Sequence, residues 1–190
     1  MKIGILGGSF DPVHIGHLII AQEAYFALGL DKVLFMPLNK SKGKSPVAGA
    51  RERLKMTSLA IQGNSAFVLD SREVVRGGVT YSIDSVLELK KERPSDEFFF
   101  ILGMDAFISL PAWKMPEKLI KLVKFALYNR DGFNSAGQGI KDVCVIDING
   151  PVIDISSSMI RERISYGMPV RYFLPDNVLE YIYEKGLYGS

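Results

Sequence analysis

The sequence predicts an α/β fold, a doubly wound parallel sheet with helices on both faces, and three observations carry that prediction. Short apolar runs bounded by turn residues recur along the chain, and runs such as "VLFM" and "FFFIL" are nearly continuous rather than alternating. Continuous runs suit strands that are covered on both sides, as in a parallel sheet. Stretches with helical spacing lie between them, and alternation of strand and helix is the pattern of right-handed βαβ units. The first run ends in Gly7-Gly8 and feeds a helix. In a sheet of this kind, ligands lie beyond the carboxyl ends of the strands.

Taken in order, the strands are predicted at residues 2–6, 32–36, 66–69, 97–102, 125–128 and 143–148. Helices are predicted at 18–28, 51–61, 82–91 and 157–165. The third places Ile83, Val86 and Leu87 on one face, and the fourth does the same with Ile160 and Ile164. A last helix starts at Pro175, puts Val178, Tyr181 and Ile182 on one side and stops at Gly186. The loops at 38–49 and 129–141 are the richest in turn residues and read as substrate-covering segments rather than linkers. Together these elements describe a Rossmann-like sheet.

A chain of 190 residues fits one domain, 1–190, since compact domains run to about 100–200 residues. With 47% hydrophobic and 23% charged residues it can bury a substantial core. A net charge of +2 is too small to argue for nucleic acid or membrane binding by bulk electrostatics. The single cysteine, Cys144, excludes an internal disulfide framework and a zinc site of several thiolates, and "VCVIDI" reads it as a small buried hydrophobe. The apolar run at the N-terminus is too short for a signal peptide, and no stretch approaches the ~20 apolar residues of a membrane span. A cytoplasmic location is the expectation, and aromatic residues near the C-terminus suit a homodimer.

"GGSFDPVHIGH", residues 7–17, holds both histidines of the chain. It is not a dinucleotide fingerprint, because G-x-G-x-x-G counted from Gly4 meets Leu6 and Ser9 where glycines are required. "GKS" at 43–45 is not a phosphate-binding P-loop, since the upstream glycine position holds Leu38. Zinc would need three or four ligands, and a Ser9–His pair lacks the G-x-S-x-G context. An isolated histidine here would read as a helix-start residue satisfied by hydrogen bonds. His14 and His17, three apart beside a strand end, instead share one helix face, and Gly16 permits close approach. Two imidazoles of near-neutral pKa can donate to phosphate oxygens and stabilise charge as it develops.

"ISSSMIRERI" offers three serines able to cap a helix, followed by Arg161 and Arg163. Arginine near the positive end of a helix is unfavourable by about 0.3–1 kcal/mol unless an anion sits there. Hydroxyls, free N–H groups and the Arg161 guanidinium would suit a polyphosphate, whereas Arg163 is expected to reach solvent or pair with Glu162 or Asp154. Lys40, Lys42 and Lys44 in "NKSKGKS" add basic groups on a loop, solvated by default.

"GGSFDPVHIGH" with "ISSSMIR" resembles the paired signatures of the nucleotidyltransferase superfamily, H/T-x-G-H and ISS-T/S-x-I-R. Over essentially its full length the chain is similar to the bacterial nicotinate-nucleotide adenylyltransferases, on "TYSIDSV", "FFILGMDAFISLPAW" and "YFLPDNVLEYIYEKGLY". The resemblance implies that ATP and nicotinate mononucleotide give nicotinate adenine dinucleotide and pyrophosphate, with Mg²⁺ on the phosphates. It implies that His14 and His17 bind the ATP phosphates and that Gly7, Gly8, Ser9 and Phe10 approach the nucleotides. Gly103 and Asp105 would line the adenosine site, Trp113 would stack on the pyridine ring, and Ser82 would meet its carboxylate. Ser156, Ser157, Ser158 and Arg161 would hold the leaving pyrophosphate. Where the family shows Pro-Pro-His-Lys this chain has "PLNKSKGKSP", so Lys42 or Lys44 would take over that phosphate contact. The alternatives are an adenylyltransferase for nicotinamide mononucleotide or phosphopantetheine, and a nucleotide-binding module without catalysis.

Overall fold

The computed structural model describes residues 1–42, 45–129 and 143–190. Six strands, β1 (Lys2–Gly8), β2 (Lys32–Pro37), β3 (Phe67–Leu69), β4 (Glu97–Gly103), β5 (Lys124–Asn129) and β6 (Val145–Asn149), form one sheet in the order β3-β2-β1-β4-β5-β6. Every neighbouring pair is parallel. The chain builds outward from β1 through β2 to β3, then returns to the other side of β1 to lay down β4, β5 and β6. The carboxyl ends of β1 and β4 therefore flank the switch point where such sheets open a crevice.

The helices are α1 (Ile15–Leu28), α2 (Ala50–Ala60), α3 (Arg72–Arg76), α4 (Ser82–Glu92), α5 (Met104–Ile108), α6 (Pro116–Leu119), α7 (Ser157–Ser165) and α8 (Asp176–Glu184). Alternate residues of the strands feed two separate cores. Leu6, Val33, Phe35, Phe99, Ile101 and Ala126 pack with Ala21 and Ala24 of α1, Ile160 and Ile164 of α7, and Val178 and Ile182 of α8. Ile5, Leu34, Phe98, Phe100, Leu102 and Leu127 pack on the opposite face with Ile83, Val86 and Leu89 of α4, Phe107 of α5 and Leu119 of α6. Double coverage explains why the strands read as unbroken apolar runs. Gly4 leaves room for the segment after α1: a Cβ there would stand 2.7 Å from Leu30 Cδ1.

Three expectations are corrected. α1 begins at Ile15, three residues before the predicted start at 18, because His14 caps it. Cys144 is exposed rather than buried, since it precedes the edge strand β6, only one of whose five residues is fully buried. The short helices α3, α5 and α6 lacked enough periodic residues to be anticipated. Most of the loop at 129–141 lies outside the described residues. Among the described residues no helix is long and apolar enough to cross a membrane.

Candidate active site

Two hollows adjoin over the end of β1. The larger, about 380 Å³, is floored by Gly7, Gly8, Met36, Phe100 and Leu102 and walled by Tyr81, Ser82, Trp113 and Lys114. Trp113 meets Phe100 edge-on, with ring centroids 5.8 Å apart, and its Nε1–H donates to Ser109 Oγ at 3.1 Å. The smaller, about 180 Å³, is lined by Ser9, Asp11, Ser157, Ser158 and Arg161. Leu38 and Ser41 line both, so the two form one bent crevice, apolar and aromatic at one end and hydroxyl-rich and cationic at the other.

The loop from β1 into α1 shapes the polar end. Phe10 is buried with φ of +47°, and the turn it makes sends Asp11 inward. The buried Asp11 carboxylate accepts the N–H groups of Val47 and Ala48 at 2.7 and 3.0 Å and the Tyr188 hydroxyl at 2.7 Å. The turn ends at His14, the N-cap of α1, whose N–H donates to Nδ1 of His17 at 3.2 Å. An accepting Nδ1 leaves the proton of a neutral His17 ring on Nε2. Burial first, and the His14 charge second, hold the His17 pKa well below 6.5, so the ring is a neutral donor. The two imidazoles stack 3.7 Å apart, and the His14 ring lies against the backbone at Gly16, where a Cβ would come within 3.0 Å of it. Neither imidazole lines either hollow. His17 packs edge-on to Phe10, whose two chain neighbours line the smaller one.

On α7, Ser156 is the N-cap and accepts the Met159 N–H, while the Ser157 hydroxyl donates to Pro12 O at 2.8 Å, fastening this helix to the first loop. Arg161 donates through Nη1 to Asp11 O at 2.6 Å and lies 3.8 Å from the Asp11 carboxylate. The protein thus supplies the anion that makes an arginine tolerable near a helix start. Arg163 does not pair with Glu162 or Asp154: it donates to Pro169 O at 3.1 and 2.8 Å and lies over the Phe173 ring.

Several groups that order the crevice were not anticipated. Arg53, 1% exposed, donates from one guanidinium to Ala48 O, Ser9 O, Leu38 O and Asn39 O. Glu73 lines the larger hollow, accepts the Ser85 hydroxyl at 2.6 Å, and has its pKa pushed up by burial. Lys114 spans from the same hollow to Asp84. Of the anticipated residues, Gly7, Gly8, Lys42, Ser82 and Trp113 line the larger hollow, and Ser9, Ser157, Ser158 and Arg161 the smaller. Gly103 and Asp105, where β4 passes into α5, line neither, and nor does the cap Ser156. Lys40 uses its carbonyl to accept the Thr80 N–H, and Lys44 lies outside the described residues.

Residues 5–163 match the cytidylyltransferase-like family model. A nicotinate-nucleotide adenylyltransferase of Bacillus subtilis is 39% identical over 191 residues, covering all of this chain and 99% of the relative. A chain of Halalkalibacterium halodurans described as "Probable nicotinate-nucleotide adenylyltransferase" is 43% identical over 192 residues, covering all of this chain and 92% of that one. The chain belongs to the nicotinate-nucleotide adenylyltransferase family. The fold agrees with that membership. Plasmodium falciparum nicotinic acid mononucleotide adenylyltransferase, solved in complex with NaAD, superposes with a TM-score of 0.82 over 98% of this chain and 97% of its own, at 22% identity. A nicotinate-nucleotide adenylyltransferase has to seat a flat heteroaromatic ring and a run of phosphates side by side, which is the division of character seen along this crevice.

Proposed function

We propose that this chain transfers the adenylyl group of ATP to nicotinate mononucleotide, forming nicotinate adenine dinucleotide and releasing pyrophosphate, as one domain acting in the cytoplasm. The observation that carries the reading is the pair of hollows meeting at Leu38 and Ser41, one apolar with Trp113 and the other lined by serines and Arg161. The pyridine ring stacks on Trp113, and its carboxylate faces Ser82 and the open N-terminus of α4. The ATP phosphates lie along Ser9, Ser157, Ser158 and Arg161, with His14 and His17 at the N-terminus of α1. Ser156 supports that end as the cap of α7. Gly103 and Asp105, one strand away, receive the adenosine.

The 5′-phosphate of the mononucleotide attacks the ATP α-phosphorus in line, the bond to the β-phosphate oxygen breaks, and pyrophosphate leaves without a covalent enzyme intermediate. The protein contributes placement and charge stabilisation. His17, held neutral behind Phe10, would donate Nε2–H to a phosphate oxygen reaching beyond the smaller hollow toward α1, and Arg161 offers guanidinium N–H groups to the departing pyrophosphate. Lys42, which lines the larger hollow, or Lys44 supplies a cation from the stretch after β2. Among the described residues no group of three or more His, Cys, Asp or Glu is placed to hold a metal. Mg²⁺ would bind chiefly through ATP oxygens and water, and no step above is routed through it.

The test is pyrophosphate release from ATP with nicotinate mononucleotide, nicotinamide mononucleotide or phosphopantetheine as acceptor. Fastest release with the nicotinate compound is expected. Release only with phosphopantetheine, or ATP binding with no release from any acceptor, overturns the proposal.

A further inference from the structure

The aromatic end of the crevice carries an ion pair that the reaction just described leaves unused. Lys114 follows Trp113 in the wall of the larger hollow, and its Nζ donates to both carboxylate oxygens of Asp84, at 3.1 and 2.9 Å. The same ammonium stands 4.6 Å from the centroid of the Tyr81 ring. Tyr81 is the N-cap of α4 and Asp84 lies in its first turn, with the Asp84 N–H returning to Tyr81 O at 3.0 Å. Tyr81 and Ser82 line the hollow themselves. A protein carboxylate thus occupies the first turn of the helix whose start faces the ligand, and a cation from across the hollow covers it.

With side chains 41% and 37% exposed, such a pair adds little to folding. Its effect on a ligand is larger. A carboxylate in the first turn already answers the positive end of the helix, and uncovered it repels a second carboxylate brought to that end. A neutral carboxamide does not feel that net charge. Asp84 stands behind the lining residues Tyr81, Ser82 and Lys114, and the carboxylate that does line the hollow, Glu73, is engaged by Ser85 Oγ and stands next to Arg76.

We propose that the Lys114–Asp84 pair sets the preference for a pyridine bearing a carboxylate over one bearing a carboxamide, Lys114 acting by cancelling the Asp84 charge at the start of α4. The inference rests on the larger hollow being the pyridine subsite. It makes Lys114 and Asp84 specificity-determining residues that work by field and not by contact.

The experiment measures kcat/KM for nicotinate mononucleotide and for nicotinamide mononucleotide at fixed ATP, in the wild type and four variants. Lys114→Met should lower the acid-to-amide ratio about tenfold, through KM for the acid, as expected for a unit charge uncovered near a protein surface. Lys114→Arg should keep the ratio, and Asp84→Asn should raise it. The double variant Lys114→Met with Asp84→Asn should return it to within about twofold of wild type, and about 0.5 M salt should shrink all these differences. A ratio unmoved by either single substitution overturns the proposal. So does a double variant as poor as Lys114→Met, which would make Lys114 a direct ligand of the carboxylate. A wild type that releases pyrophosphate with neither pyridine nucleotide overturns the assignment of the reaction itself, before the pair is at issue.

Discussion

The larger hollow takes its floor and one wall from regular elements, whereas the smaller sets loops against the start of α7. Met36, Phe100, Leu102 and Ile83 at the aromatic end are also members of the core beneath α4, so the packing that folds the sheet also shapes that cavity. Ser9, Asp11, Ser45 and Pro46 at the polar end belong to no strand or helix. The buried Arg53 guanidinium takes Ser9 O, Arg161 takes Asp11 O, and the buried Asp11 carboxylate, itself held by the Tyr188 hydroxyl, takes the Val47 and Ala48 N–H groups just after Pro46. A hydrophobic core can mould an apolar cleft without further help. Loops turned into the protein leave carbonyl and N–H groups that need partners, and here charged side chains provide them.

The severest challenge to this contrast is Arg53→Met, which strips the carbonyls of Ser9, Leu38, Asn39 and Ala48 of their common donor. We expect a loss of about 3–5 kcal/mol in denaturant-induced unfolding, and a loss below about 1 kcal/mol would show that the loops stand without it. Arg161→Ala should weaken pyrophosphate inhibition and raise KM for ATP by about 10- to 100-fold, the worth of charged hydrogen bonds to phosphate, leaving KM for the mononucleotide nearly unchanged. Trp113→Ala should do the reverse, raising KM for the mononucleotide about tenfold through lost stacking while pyrophosphate inhibition stays put. If both substitutions shift the same constants, the crevice is not divided as described.

The smallest effect concerns acid. Because burial and His14 depress the His17 pKa, the unfolded chain takes up a proton there that the folded one refuses, so stability falls as pH drops below 6.5. Glu73 works oppositely: its pKa is raised above 4.5 by burial, so its contribution favours the folded state as pH falls toward that value. His17→Gln keeps an acceptor for the His14 N–H and removes the proton site. It should flatten the stability loss between pH 6.5 and about 5, and an unchanged slope in thermal unfolding would mean that His17 titrates freely.

The strands were legible because residues buried on both faces leave unbroken apolar runs, and α7 because serine caps and paired isoleucines mark its limits. α5 and α6 were not, since Pro111 and Pro116 interrupt the stretch and tertiary packing, more than periodicity, holds it helical. The two histidines were visible as a pair, but not as a stacked cap in which one imidazole serves the backbone of the other, because His at the third helical position carries no capping signature. Arg53 offered a faint signal: it shares the inward face of α2 with Met56 and Thr57. Spacing alone does not say that a cation, rather than a hydrophobe, turns in. Lys114 and Asp84 are thirty residues apart, and only the sheet brings them together.

Tyr188 closes the polar end from the far side of the chain, through its hydroxyl on Asp11. During synthesis the first loop emerges from the ribosome early, yet its aspartate must wait for nearly every other residue before its set of partners is complete. A nascent chain can therefore finish its sheet and its aromatic cleft well before the Asp11 cluster at the polar end is complete.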